Sequence, residues 1–303
     1  MSSAMSQAHN MEFYSELLER HQYALVDRVA ISAEILKRFP LVPLDHWELR
    51  NEDDSDQMPA LLPLEPGAPH MELLAACMTL GEEEPGANPV ATFIVVSPDI
   101  KPGRLQTHLS SRLIVQSPQG RAFLRYYSSD VFPHLVRILA PARLKSLFGP
   151  EKQVYQWTYR FQNEWITVPV PDVTKGVPLS WIIRREEHES LDLVGEVNKT
   201  LDAYQKKMGR PWKDHAEWNE KACAAEHFIR IAQRTHRLDA PADLIAFAMQ
   251  ALAHGERIHS HPRIHNLLKD TASRPSAYHD AVRHIADDEW VAMAAELSLQ
   301  KIN

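Results

Sequence analysis

The pattern of hydrophobic and polar positions changes along the chain. It predicts short helices and strands in the first part and longer helices in the second. Near the N-terminus, apolar side chains recur at helical spacing and predict an amphipathic helix, at Met11, Tyr14, Leu17 and Leu18. Two continuous apolar runs, 23–27 and 92–96, have the length of buried strands. The first part of the chain is therefore expected to combine helices with a buried sheet.

A hairpin is predicted around the tetrapeptide that begins at Ser117. Pro118 suits the second position of a type I turn, and Gly120 suits the fourth. The flanking segments 113–116 and 121–127 are rich in apolar and aromatic residues, which favours two paired strands.

Two short helices are expected after the hairpin. The pair Ser129-Asp130 offers an N-cap for the first, and Pro133 lies in its first turn, where a missing N–H costs little. The second begins at Pro141 and ends at Gly149-Pro150, because a helix does not continue through that pair.

An aromatic strand is predicted over residues 154–160, where large side chains alternate with polar ones. Its aromatic face consists of Tyr155, Trp157, Tyr159 and Phe161. After a turn at 162–164, residues 165–168 would pair back as the next strand. Two interpretations stay open: helices cover this face, or it is an exposed docking surface for a protein partner, with an edge strand beside it that accepts a partner strand. The four aromatic residues are the candidate partner-binding site.

Proline usage divides the chain near residues 174–180. Ten of the 21 prolines lie between Pro40 and Pro102, and only four follow Ser180. Beyond the boundary the apolar period is helical, in stretches that begin near Leu191, Trp218, Leu244 and Asp287. The predicted fold is an α/β (α+β) N-terminal lobe, residues 1–175, with a mixed β-sheet flanked by helices, followed by an all-helical C-terminal lobe, residues 176–303.

Composition restricts the partners. The net charge of -7 and the pI near 6.1 provide no basic field for phosphate, so nucleic acid and membranes are not expected as partners. Residues 1–10 carry no Lys or Arg and no long apolar run, and the longest such run, 90–96, is too short to span a bilayer. We therefore expect a cytoplasmic protein. Cys77 and Cys223, far apart in helical contexts, are expected to be reduced, buried thiols.

The sequence lacks the common glycine-rich motifs of nucleotide-binding enzymes and hydrolases. The patterns GxxxxGK[ST], GxGxxG and GxSxG are all absent, and the chain has ten glycines in total. We expect no cofactor and no catalysis.

The best candidate for a metal site is a histidine-rich stretch of the helical region, which includes His254, Glu256, His259, His261 and His265. Carboxylate di-metal proteins use pairs of Glu-x-x-His, and only half of such a set is present. Pro262 interrupts any helix between His259 and His265. Exposed helix-end and loop histidines are the preferred interpretation, and a metal-dependent hydrolase is kept as the alternative.

A second metal hypothesis is a phosphohydrolase of the His-Asp type. The dipeptide His279-Asp280 would need further ligands, for which His227, His236 and Asp243 are available in the sequence. Because this dipeptide is common, its presence has little weight.

Two charged features have structural and functional interpretations. The acidic run 186–189 offers paired carboxylates for acid/base chemistry, but at a helix start it would complement the helix dipole. Arg125 lies between aromatic residues and would either stack on a nucleobase or pair with an acid and frame a loop. The structural interpretation is preferred for both.

Several sequence blocks occur in the order found in a known family. They are Tyr23–Asp27, His108-Leu109 with the strand to Val115, the run 124–132 that reads LRYYSSDVF, and Leu147–Pro150. Over roughly residues 23–168 the chain resembles the adaptor or chaperone family of type VI secretion effectors, known as domain of unknown function 4123. The helical C-terminal part is similar to the family's usual extension.

This resemblance implies a bacterial cytoplasmic adaptor rather than an enzyme. Its partners would be a secreted toxin effector, bound through the effector's N-terminal region, and the VgrG spike protein onto which the effector is loaded. An interaction protein of another assembly is a further alternative. The motif residues are interpreted as structural: Asp27, His108, Leu109, Arg125, Tyr126, Tyr127, Phe148, Gly149 and Pro150. One departure is the triplet 128–130, which reads Ser-Ser-Asp where the family has Asp-Pro-Arg.

Overall fold

A computed structural model of the chain describes residues 12–30, 33–45, 58–80, 90–117, 120–149, 154–162, 164–173, 181–271, 274 and 277–299. The chain divides into two compact units, Met1–His188 and Glu189–Asn303. The boundary predicted at 174–180 lies outside the described residues.

The first unit alternates helices with strands. Its described elements are α1 (12–19), β1 (Tyr23–Val26), α2 (Ala33–Leu36), β2 (Val42–Pro43), β3 (Ala60–Pro63), α3 (Pro69–Leu80), β4 (Val90–Val96), α4 (Pro102–Ser110), β5 (Ile114–Ser117), β6 (Gly120–Phe123), α5 (Phe132–Ile138), α6 (Pro141–Phe148), β7 (Val154–Phe161) and β8 (Glu164–Pro169). A short 3-10 turn, Arg28–Ala30, follows β1, and α7 (Arg185–Leu191) spans the division between the units. The predicted helix near the N-terminus is confirmed over 12–19, while Met11 lies outside the described residues.

Among the described strands, six form one sheet in the order β2-β3-β1-β4-β7-β8, and each neighbouring pair is antiparallel. Residues paired across the strands share a face. Ala24 pairs with Phe93, and Phe93 pairs with Thr158, so all three point to one side. On that side Phe93 and Ala24 belong to an apolar cluster with buried residues of α1 and α3. The opposite side carries Trp157 and Tyr159 of β7.

The sheet therefore has helices on both faces, and the predicted α+β class is confirmed. The two strands predicted over 23–27 and 92–96 are present as β1 and β4, which pair with each other, and both are largely buried because both faces are covered.

The predicted hairpin is confirmed as β5 and β6, but β6 ends at Phe123, four residues before the predicted end. Beyond it, the chain turns inward: Leu124 donates its N–H to the carbonyl of Leu113, and Tyr126 is fully buried. The turn residue Pro118 lies outside the described residues.

The predicted N-cap of α5 is wrong. Val131 holds the N-cap position, and no side chain caps the helix. The reason is a backbone turn: the Ser128 carbonyl accepts the N–H groups of Val131 and Phe132, while its hydroxyl accepts the N–H of Asp130. Helix α6 begins at Pro141 as predicted and ends at Gly149, whose φ of 107° favours glycine.

The second unit is helical in all its described elements, as predicted. They are α8 (Val194–Met208), α9 (His215–His236), α10 (Pro241–His254), a 3-10 turn (Glu256–Ser260), α11 (Pro262–Thr271), α12 (Ala277–Val282) and α13 (Asp287–Leu299). Small side chains let α9 and α10 pack closely, and Ala222, Ala225 and Ala248 are fully buried. No described helix has the length and apolar character needed to cross a membrane. Both cysteines are free thiols, but Cys223 is exposed, so its predicted burial is wrong.

Candidate functional site

Two members of the aromatic row of β7, Trp157 and Tyr159, are covered, as the first of the two open interpretations expects. Trp157 and Tyr159 are 0% exposed. The ring of Phe132, from α5, stacks on Trp157 with centroids 5.1 Å apart and lies 5.3 Å from Tyr159. Tyr126 and Phe148 contact Trp157 edge-on, each at 5.8 Å. These residues come from the hairpin exit and the two short helices, which close this side of the sheet.

A β-bulge removes Tyr155 from the row. The register between β4 and β7 shifts at this point: Val95 pairs with Gln156, but Val96 pairs with Val154, so Tyr155 is the extra residue. Val154 consequently takes the buried position that strict alternation assigns to Tyr155. Tyr155 is 40% exposed, and Phe161 is half-buried. Of the four predicted contact residues, Tyr155 presents the most ring surface.

The structure brings three family-motif residues together beside the sheet. A nitrogen of the Arg125 guanidinium lies 2.5 Å from the Asp27 carboxylate, and the guanidinium carbon lies 5.8 Å from the Tyr127 ring. Partial burial opposes the charge on Arg125, but Asp27 and the Tyr127 hydroxyl raise its pKa overall. Burial, followed by the Asp27 charge, raises the pKa of Tyr127. Arg125 thus pairs with an acid, as the structural interpretation expects.

Two further motif residues donate hydrogen bonds to carbonyls in the last turns of helices. His108 Nε2 lies 2.9 Å from the Leu147 carbonyl of α6, and the Tyr126 hydroxyl donates to the Leu109 carbonyl of α4 at 2.9 Å. Carbonyls in the last turn lack the N–H of a following helical turn, and the Leu109 carbonyl also accepts the N–H of Arg112. Burial, then the charge of Arg112, lowers the pKa of His108 to about 4, so its ring is neutral at pH 7.

These contacts join motif blocks that are far apart in the chain. Asp27 and Arg125 are 98 residues apart, and His108 and Leu147 are 39 apart. Phe148 is fully buried against Phe132, while Pro150 lies outside the described residues. The geometry supports the structural interpretation of the motif, since its described side chains hold the sheet, hairpin and helices together.

A buried ion pair that the sequence did not indicate ties α6 to the start of α7. Arg143 Nε lies 2.6 Å from Glu187, and the two side chains are only 12% and 10% exposed. The N–H groups of Ala140 and Arg184 also donate to this carboxylate. Burial alone would raise the pKa of Glu187, but the Arg143 and backbone hydrogen bonds lower it below its usual range. Glu187 lies in the first turn of α7, as predicted for the acidic run, and its long-range partner had no local signal.

The histidine-rich stretch does not converge on one point. His259 is buried and stacks on the Phe247 ring with centroids 3.4 Å apart, so its predicted exposure is wrong. His254 stacks on Trp290, His261 lies 3.0 Å from Glu296, and His265 is exposed. Within the described ranges, no three His, Cys, Asp or Glu side chains are placed to hold a metal ion.

Asp243 has a structural contact rather than a place in a His-Asp constellation. Its carboxylate accepts the backbone N–H of His279 at 2.8 Å, in the first turn of α12. His227 instead lies 3.9 Å from Glu256. Asp243 thus meets the backbone of His279 and not its ring, and the described residues form no set of three ligands that could hold the metal of a phosphohydrolase.

The edge of the main sheet offers a different kind of surface. Strand β8 is the last strand in the described order and pairs with β7 along Glu164–Pro169. Each of its side chains is exposed or half-buried. Glu164 at its start and Asp172 beyond its end are both exposed.

Residues 23–146 match the family described as a domain of unknown function (DUF4123). This family is associated with type VI secretion effector adaptors. The match begins at the first residue of β1 and ends within α6, so it includes Asp27, His108 and Arg125 but not the aromatic strand. No curated protein and no solved structure matches the chain.

Proposed function

We propose that this chain is a cytoplasmic adaptor that binds a type VI secretion effector, through the effector's N-terminal region, and promotes its loading onto the VgrG spike without catalysis. The observation that carries the proposal is the family match over residues 23–146. The matched segment contains the motif residues Asp27, His108 and Arg125, whose contacts lie within this unit.

The chemistry of these motif residues agrees with an adaptor. A catalytic acid or base needs access to a substrate, whereas His108 donates to a main-chain carbonyl and Arg125 holds Asp27. An adaptor instead needs a rigid scaffold and an accessible surface. Interfaces that must separate again are moderate in size and have polar rims.

The first unit offers such a surface where β7 begins and β8 ends. Tyr155 presents an exposed ring there, and its carbonyl accepts the N–H of Val170. Tyrosine combines apolar contact area with a hydroxyl and is enriched in interfaces. This revises the predicted partner-binding site. Tyr155 is retained as a candidate contact residue, whereas Trp157 and Tyr159 are buried core residues.

The proposal is tested by co-purification. The tagged chain is expressed with the toxin and spike proteins encoded by neighbouring genes, and both should be retained. Deleting the chain should abolish secretion of that effector while leaving other effectors unaffected. Secretion that survives the deletion, together with no retention of either protein, contradicts the adaptor role.

Metal analysis of the purified chain separates this proposal from the hydrolase alternative. An adaptor should carry no stoichiometric zinc, iron or manganese. A stoichiometric metal lost on His259→Ala or His261→Ala substitution would favour the hydrolase, and His284→Ala, at an exposed position outside the candidate ligands, is the control.

A further inference from the structure

The outward edge of β8 carries backbone donors with no partner among the described residues. The register pairs Trp157 with Val168, and the Val170 N–H donates to the Tyr155 carbonyl in the same register. In an antiparallel pair, alternate residues direct their N–H and C=O groups toward the partner strand. Even-numbered residues of β8 therefore bond to β7, and Trp165 and Thr167 direct their backbone groups outward.

Only a short part of this edge can form backbone hydrogen bonds with another strand. The next outward position is Pro169, which has no N–H to donate. Proline and charged residues at sheet edges limit uncontrolled pairing between strands. The edge therefore offers the N–H and C=O groups of Trp165 and Thr167 and ends at Pro169.

Side chains on both faces of β8 leave room for a partner with alternating apolar residues. Trp165 packs on Phe93, with ring centroids 4.8 Å apart, and stays half-buried. On the other face, Ile166 and Val168 pair with Tyr159 and Trp157 and are also half-buried. An added strand would cover the remaining exposed parts of these side chains.

Two acidic residues near β8 indicate which charges a complementary partner segment would carry. The stretch 164–173 contains two acidic residues, Glu164 and Asp172, and no Lys or Arg. Both residues are exposed: Glu164 begins β8, and Asp172 lies three residues beyond Pro169, beside Val173, whose carbonyl accepts a hydrogen bond from the Lys145 ammonium group. Lys or Arg at the two ends of an incoming segment would be complementary to them.

We propose that the β8 edge accepts an extended segment of the partner protein as an added β-strand, with alternating apolar residues flanked by basic ones. The identity of this partner as the effector rests on the proposed function. Main-chain hydrogen bonds to Trp165 and Thr167 supply the affinity, and the acidic ends select the flanking charge.

A designed peptide tests the edge without the effector. The probe alternates Val and Thr with two lysines at each end, and the control has glutamates in place of the lysines. Hydrogen exchange at the Trp165 and Thr167 amides should slow with the lysine peptide and not with the glutamate peptide. Unchanged exchange with both peptides, or protection by a second copy of the chain at high protein concentration, overturns the proposal.

A pair of variants then tests the edge with the effector. Thr167→Pro removes one outward N–H without removing a backbone hydrogen bond to β7, and we expect the affinity to fall about tenfold or more. Thr167→Ala is the control, because both variants lose the hydroxyl that contacts Thr158 while only the proline variant loses the N–H. Circular dichroism should show both variants folded.

The outcomes distinguish the two proposals. Equal retention of the effector by both variants and the unmodified chain overturns the edge proposal and leaves the adaptor function standing. If the unmodified chain retains no effector, the adaptor proposal fails, and the peptide experiment alone decides whether the edge accepts a strand.

Discussion

The two units of the chain are stabilised by contacts of different reach. In the first unit, residues 1–188, Arg125 holds Asp27 across 98 residues, and His21 contacts Thr158 across 137. In the second unit, residues 189–303, the described contacts are shorter in reach: Lys207 contacts Asp287 across 80 residues and Asp243 contacts His279 across 36, while the cap of α9 is local, with Asp214 accepting the N–H of Glu217. Contacts between distant residues close large loops, so single changes in the first unit should affect larger parts of it.

The largest expected effect is at the aromatic centre of the first unit. Trp157→Ala should lower the free energy of unfolding by about 3–5 kcal/mol, because it leaves a cavity beneath Phe132 and Tyr126. Urea unfolding measures this loss, and hydrogen exchange resolves it by unit.

Trp157→Phe is the matched control. The Trp157 Nε1–H has no acceptor among the described residues, so phenylalanine removes an unsatisfied donor together with part of the ring. Its cost should be clearly smaller than that of alanine. Equal losses for the two variants would contradict the packing account.

The next effect comes from the ion pair between α6 and α7. Glu187→Gln should cost about 3 kcal/mol, because it leaves the Arg143 charge buried without its counter-ion. The double variant Arg143→Met, Glu187→Met should recover much of that loss. A double variant less stable than Glu187→Gln would show that the charges themselves stabilise the unit.

The same pair predicts a pH dependence in acid. The pKa of Glu187 in the folded protein is lower than its unfolded pKa of about 4.3. The stability that Glu187 contributes is therefore complete above its unfolded pKa and is lost as the pH falls through its folded-state pKa. Glu187→Gln should flatten the stability curve of the first unit in this range. Urea unfolding at a series of pH values makes the comparison.

In the second unit, His259 predicts a loss of stability at milder acidity. Burial and the neighbouring His236 lower its pKa to about 3, below the ordinary 6.5, so the unfolded chain binds the proton more readily. Stability is complete above pH 6.5 and falls as the pH drops toward 3, by about 1.4 kcal/mol per pH unit. At pH 5 this amounts to about 2 kcal/mol.

The test is the pH dependence of unfolding for the unmodified chain and for His259→Leu. The leucine variant should show a shallower slope between pH 6.5 and 3 in the exchange of α10 amides. His254 retains some dependence, because burial lowers its pKa as well. An unchanged slope would mean that protonation of His259 does not limit this unit.

The smallest effect is expected at the start of α9. Asp214→Ala should cost about 1 kcal/mol by removing the N-cap hydrogen bond to Glu217. Asp214→Asn retains an acceptor and should be close to neutral. Exchange should rise in the first turn of α9 only, and an increase throughout the second unit would contradict the contrast between the units.

The two units also differed in how much of their secondary structure the sequence predicted. Four helices of the second unit, α8, α9, α10 and α13, were expected from apolar periodicity, because each helix forms its backbone hydrogen bonds within itself, whereas α11 and α12 were not predicted. In the first unit the order of most strands and helices was expected, as were the pairing of β7 with β8 and the end of α6 at Gly149. The N-cap of α5 and the end of β6 were not, because the turn after the hairpin is determined by its packing against other segments.

The candidate site shows most clearly what the sequence pattern could not predict. Alternation along β7 indicated that Trp157 and Tyr159 share a face, and they do. Strict alternation also placed Tyr155 with them, and the bulge opposite Val95 and Val96 removed it. A bulge depends on the register with another strand, which no pattern within β7 records.

The sequence by itself determined the α+β and helical regions and a set of motif blocks that match an adaptor-associated family. Only the tertiary structure decided that residues of α5 and α6 cover Trp157 and Tyr159, that Tyr155 faces outward, and that β8 lies at the sheet edge. Periodicity is a local property of one segment, whereas burial and edge position depend on which distant segments pack beside it.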